Sequence, residues 1–128
     1  MEKRLKQSLG IDVSKLTLSL SLGFLTDKLE KEFKSHEDVP NELPGYKSVL
    51  QWIEKSVGST VELVVVMEAT GVYHQGIAHY PYLHGHTVTV MQSGRVKRYA
   101  QSLDQRSKTD ALDSKMLSML GLEMSFRP

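Results

Sequence analysis

The chain has 128 residues, 40% hydrophobic and 24% charged, the composition of one globular domain rather than of a disordered segment. Sixteen Lys and Arg against fifteen Asp and Glu leave a formal charge of +1, so nucleic acid can be drawn only by a local patch, not by an overall field. The absence of Cys excludes a disulfide scaffold, thiolate zinc and cysteine catalysis, and fits a reducing cytoplasm.

The N-terminal segment MEKRLKQSLGIDVSK is basic and lacks the apolar region of a signal peptide. Residues 8–13 are a short apolar segment interrupted by Gly10 and Asp12, and residues 17–22 alternate strictly, the period of a half-buried strand. Ser14-Lys15-Leu16 between them is of hairpin length. Residues 31–36 read as a polar third strand suited to a sheet edge, and residues 38–45, with two prolines and a glycine, read as a loop. Tyr46, Val49, Leu50, Trp52, Ile53 and Val57 then form the stripe of an amphipathic helix ending near Gly58. Residues 61–67 are apolar apart from Glu62 and mostly β-branched, as expected of a strand buried on both faces. The run Leu63-Val64-Val65-Val66-Met67 is far shorter than the ~20 residues of a membrane helix, and a soluble, cytoplasmic domain with no membrane partner is expected.

Thr70-Gly71 could cap a helix over residues 72–83, with Pro81 kinking or shortening it. Residues 87–91 read as a strand, 95–103 as a short basic helix, 104–108 as a polar loop, and 109–120 as a helix with Leu112, Met116, Leu117 and Leu120 on one face. The expected order β-β-β-α-β-α-β-α-α describes an α/β fold: a mixed five-stranded sheet, three antiparallel strands and then parallel ones, flanked by helices. A right-handed crossover sets the fourth strand parallel to the first and brings Asp12 and Glu68 to the same end of the sheet.

Asp12 is embedded in an apolar strand and Glu68 ends one, settings where a carboxylate loses hydration unless it is paired or binds a cation. Either one alone is as readily the first solvated residue after its strand; two on neighbouring strands are harder to explain that way. Asp110 and Asp113 stand at i, i+3 in the first turn of the last helix, where acids also favourably meet the helix dipole, by ~0.3–1 kcal/mol. Four converging carboxylates repel, by about 4 kcal/mol for a pair 4 Å apart at an effective dielectric of 20. Hard divalent cations offset such repulsion, and two of them form the usual arrangement for phosphodiester displacement. The order Asp…Glu…Asp-x-x-Asp on this framework is that of an RNase H-like nuclease.

Three segments carry a resemblance to a known family. Gly10-Ile11-Asp12-Val13-Ser14-Lys15, Glu68-Ala69-Thr70-Gly71-Val72-Tyr73-His74 and Arg106-Ser107-Lys108-Thr109-Asp110-Ala111-Leu112-Asp113-Ser114-Lys115 resemble the three signature blocks of the DEDD transposases of the insertion-sequence one-ten family, which includes the Piv invertase. Gln92-Ser93-Gly94 stands where an Asn-Pro-Ala-like turn is usual in that family, and Pro81 is unexpected in its helix. The resemblance implies a RuvC-like fold, a catalytic and metal-binding tetrad of Asp12, Glu68, Asp110 and Asp113, and Mg²⁺ or Mn²⁺ as cofactor, two ions in all. It implies DNA cleavage and strand transfer in transposition or inversion, with a structured guide RNA in characterised members and a homo-oligomer in the full-length protein. Residues 1–128 would then be one catalytic domain, the N-terminal part of a longer transposase whose second domain carries a nucleophilic serine.

The nucleic-acid contacts expected are Arg95, Lys97, Arg98, Arg106, Lys108 and Lys115, with Tyr73 beside Glu68. A solvated helix face is the plain alternative for the basic residues, and packing for Tyr73. His79, His84 and His86 lack zinc-ligand spacing and are assigned surface or core roles. A stand-alone Holliday-junction-resolvase-like nuclease and a nucleic-acid-binding module inactive in isolation remain rival readings. An actin-like ATPase is disfavoured because Ser14-Lys15-Leu16 lacks the glycines of a phosphate-binding hairpin.

Overall fold

A computed structural model describes residues 4–57, 62–69, 72–83, 85–92 and 110–123. The first three strands, β1 (Arg4–Val13), β2 (Thr17–Thr26) and β3 (Lys31–Pro40), form an antiparallel meander. Helix α1 (Leu43–Ser56) leads to β4 (Leu63–Glu68), helix α2 (Gln75–Leu83) leads to β5 (Thr87–Met91), and helix α3 (Asp110–Glu123) follows. The sheet order is β3-β2-β1-β4-β5, with β4 parallel to β1 and β5 parallel to β4. This is the mixed five-stranded α/β sheet expected, with β1 at its centre.

The expected third strand stops at His36, yet β3 runs on to Pro40. Leu18 pairs with Val39 but Leu20 with His36, so β3 carries one extra residue, and Asp38 takes a left-handed φ of 60° at that point. The bulge bends the strand and lets pairing resume. Pro40 is the last residue of an edge strand, where a missing N–H costs no ladder bond. The breaker-rich stretch therefore contributes the end of β3 and the start of a helix: α1 begins at Leu43 with Pro44 in its first positions, where a fixed φ favours the helix. Helix α2 begins at Gln75, later than expected, after a turn over residues 72–74 closed by the Gln75 N–H on the Val72 carbonyl at 3.3 Å. Pro81 lies within α2, which continues to Leu83. The expected basic helix at residues 95–103 and the polar loop at 104–108 lie outside the described residues.

Strand alternation divides the core into two layers. Leu9 and Ile11 of β1, Leu20 and Leu22 of β2, and Val65 and Met67 of β4 are fully buried on the face covered by Val49 and Ile53 of α1 and Ile77 of α2. Each such side chain contributes roughly 1.5–3 kcal/mol on burial. On the opposite face, Val66 and Met91 pack against Leu117 and Leu120 of α3. Helix α3 is buried around most of its circumference, since Ser114, Ser118 and Gly121 are buried as well as Met116, Leu117, Leu120 and Leu122. The side chain of Leu112 lies outside the described residues.

Candidate active site

Asp12 and Glu68 are both half-buried, Asp12 next to last in β1 and Glu68 last in β4. The parallel register pairs Gly10 with Val66 and Ile11 with Met67, and its next step sets Asp12 beside Glu68. Across the antiparallel pair Asp12 meets Ser19, and on the other side Glu68 meets Met91 of β5. Just beyond Glu68, the Ala69 N–H donates to the Met91 carbonyl at 2.8 Å and holds the strand end in the sheet. The two acids thus stand at the C-terminal end of adjacent central strands, where open α/β sheets place their ligands. By alternation they share the sheet face of Gly10 and Val66, which is the face that α3 covers.

The direction of α3 follows from what its small residues touch. Lys6, near the start of β1, donates from Nζ to the Leu122 carbonyl at 3.2 Å. Ser118 Oγ donates to the Ser8 carbonyl at 2.9 Å, and Gly10 lies against the backbone of Ser114 and Ser118. Moving along β1 toward Asp12 therefore moves backward along α3 toward its first turn. Asp110 and Asp113, the first and fourth residues of the helix, occupy the Asp12 end of the sheet by their backbone position; their side chains lie outside the described residues. Gly10 makes this approach possible, because a Cβ there would fall on the Ser114 carbonyl oxygen. Gly121 does the same where the helix crosses Ser8.

Among the described residues no group of three or more His, Asp or Glu side chains forms a metal-holding cluster; the side chains of Asp110 and Asp113 are not among them. The donors that are described, two carboxylates, are hard oxygen ligands, the type that Mg²⁺ and Mn²⁺ take.

The expected nucleic-acid contacts divide. Tyr73 is exposed in the turn after β4. Lys115 is exposed on α3, its Nζ 5.0 Å from the centre of the Phe33 ring, a cation–π contact on the β3 side of the helix. Arg95, Lys97, Arg98, Arg106 and Lys108 lie outside the described residues. His79 is exposed on α2 and His86 is half-buried; His84 lies outside the described residues.

One arrangement near the carboxylates had no signal in the sequence. Asn41, between β3 and α1, donates from Nδ2 to the Ser14 carbonyl at 2.8 Å and to the Tyr73 carbonyl at 2.9 Å. Its Oδ1 accepts from the Tyr46 hydroxyl at 3.0 Å, and its backbone N–H donates to the Leu16 carbonyl at 2.9 Å. Within a run of breakers, an Asn that links two distant turns looks like any other loop residue. Burial, and secondarily the nearby Glu42 carboxylate, raises the pKa of the Tyr46 phenol.

Comparisons with known proteins bear on the fold and the family. A structure of RuvC from Thermus thermophilus in complex with a Holliday junction substrate superposes with a TM-score of 0.58 over 89% of this chain and 90% of that one, at 12% identity. A second Thermus thermophilus RuvC structure gives 0.52 over 95% and 84%, at 18% identity. The fold is therefore RNase H-like, of the RuvC kind. A pilin gene-inverting protein of Moraxella lacunata is 30% identical over 116 residues, 91% of this chain and 34% of that protein. Its counterpart from Moraxella bovis is 33% identical over 81 residues, 63% and 25% respectively. The chain thus spans about a third of the length of the first relative and a quarter of the second. The family model of the IS110-type DEDD transposases, described as a transposase, matches residues 9–128. The chain belongs to the DEDD transposases of the insertion-sequence one-ten family.

Proposed function

We propose that this chain is the metal-dependent nuclease domain of a DNA transposase or site-specific recombinase. The observation that carries the proposal is the parallel register of β1 and β4, which sets Asp12 beside Glu68 at the sheet end where α3 begins. Asp12 and Glu68, with Asp110 and Asp113 from the first turn of α3, would hold two Mg²⁺ or Mn²⁺ ions. Bound there, the ions supply Lewis-acid stabilisation of the attacking and leaving oxygens of a phosphodiester displacement. The protein's part is rigidity. Asp12 and Glu68 are fixed by strands hydrogen-bonded on both sides, and the start of α3 is fixed by backbone packed against Gly10, so the carboxylates need little reorganisation when substrate arrives.

DNA is the substrate that the pilin gene-inverting relatives and the transposase family favour, and the RuvC solved on a Holliday junction shares the fold. Tyr73, five residues after Glu68, offers an exposed ring for stacking. Lys115, with Arg95, Lys97, Arg98, Arg106 and Lys108, supplies cations for the phosphate backbone. The family resemblance extends the reading to an element-encoded guide RNA, a homo-oligomer and a cytoplasmic setting. No described helix is long and apolar enough to cross a membrane.

The experiment is cleavage of labelled branched and linear DNA by the protein with Mg²⁺ or Mn²⁺, against Asp12→Asn and Glu68→Gln. Each variant is expected to lose about 100-fold or more, beyond what the loss of a mere outer partner costs a metal site. Cleavage by Asp12→Asn at the wild-type rate would overturn the proposal.

A further inference from the structure

We infer that Asn41 is a positioning residue that sets the spacing between the strand end carrying Asp12 and the strand end carrying Glu68; the inference rests on the carboxylate site proposed above. Ser14, whose carbonyl it holds, is two residues beyond Asp12, and Tyr73 is five beyond Glu68. A single planar amide spends both of its N–H donors on these two carbonyls, so the distance between the turns is tied to the geometry of one rigid group. Its orientation is settled by the third contact: Oδ1 accepts from Tyr46, and a reversed amide would set oxygen against two carbonyl oxygens. The backbone N–H of Asn41 adds a bond to Leu16 in the same turn as Ser14.

The bridge also has a firm base. Tyr46 is in the first turns of α1, and its ring lies so close to Gly76 of α2 that a Cβ at residue 76 would strike the phenol oxygen. Tyr46 further packs on Tyr80, ring centres 5.9 Å apart. Asn41 is therefore held from behind by α1 and α2 while it ties the two turns in front of it. The β1–β4 ladder fixes Asp12 and Glu68 along the strands; the Asn41 bridge ties Ser14 to Tyr73 beyond them. Groups that act in this way on a metal site alter affinity and rate without touching the ion.

The test uses Asn41→Asp, nearly isosteric, which keeps an acceptor for Tyr46 and removes both donors. Asn41→Ser is the uncharged second variant in case the first does not fold. Mn²⁺ is titrated into the wild type, both variants, Asp12→Asn and Glu68→Gln; cleavage is measured over a range of Mn²⁺ concentrations, and metal-free melting is recorded. Mn²⁺ affinity is expected to fall about 10–100-fold in the Asn41 variants, with cleavage largely recovered at high Mn²⁺. A merely structural Asn41 would instead lower the melting temperature and leave Mn²⁺ affinity per folded molecule unchanged, which overturns the inference while wild type still binds. Wild type without Mn²⁺ binding, or Asp12→Asn binding as wild type does, overturns the carboxylate site and this inference with it.

Discussion

Replacing Gly10 by Ala adds one methyl group at the closest contact between β1 and α3. The added carbon would lie 2.5 Å from the Ser118 nitrogen and closer still to the Ser114 carbonyl oxygen, with Leu117 Cβ at 3.0 Å. Ordinary contact needs about 3.4 Å, and the atoms in the way are helix backbone, which cannot rotate aside. Helix α3 must therefore retreat by about 1 Å. Overpacking of this kind costs roughly 1–3 kcal/mol, less the ~0.5–1 kcal/mol that Ala recovers over Gly in a strand, so a net loss of up to about 2.5 kcal/mol, centred on about 1, is expected. Urea unfolding followed by the fluorescence of Trp52, half-buried and stacked on His36 with ring centres 5.5 Å apart, reads this loss. The functional loss is expected to be larger than the stability loss. A retreat of about 1 Å moves the first turn of α3 away from Asp12 and Glu68, and a misplacement of that size can cost about 100-fold in rate. Wild-type stability and cleavage in Gly10→Ala would refute the placement of α3 on which the four-carboxylate site depends.

The phenol of Tyr46 has its pKa raised in the folded protein, so its contribution to stability is complete below the unfolded value near 10 and is lost as pH rises through the folded value. Alkaline unfolding should accordingly be steeper in wild type than in Tyr46→Phe, which itself loses the bond to Asn41, about 1 kcal/mol. If Lys115 meets a phosphate, Lys115→Gln should lower the salt slope of DNA binding by about 0.9 for duplex or 0.7 for single strands. An unchanged slope would leave it with its contact to Phe33 alone.

The parts of the fold written as periodicity were legible in the sequence. The alternation of residues 17–22 and the unbroken apolar run before Glu68 mark β2 and β4, and the crossover rule makes β4 parallel to β1, as the structure has it. What was hidden depends on contacts distant in sequence. Residues 38–45 look like a loop because their prolines and Gly45 break regular structure, but a bulge at Asp38 and an edge position for Pro40 let β3 take residues 38–40, and α1 takes residues 43–45. Asp12 and Glu68 were visible because an acid interrupts an apolar strand at each point. Asn41 was not, since its bonds reach 27 residues back to Ser14 and 32 forward to Tyr73. The seating of α3 on Gly10 was likewise invisible, because a glycine within a strand shows only that something comes close, not what.

The central claim is that Asp12 and Glu68 share a divalent ion. Anomalous scattering at the manganese edge, from crystals of the protein grown with DNA and Mn²⁺, tests it most directly. The account predicts a manganese peak bridged by the Asp12 and Glu68 carboxylates at the C-terminal end of β1 and β4, and its loss in Asp12→Asn. Manganese bound elsewhere on the protein, with these two carboxylates turned to solvent or to each other, would contradict it.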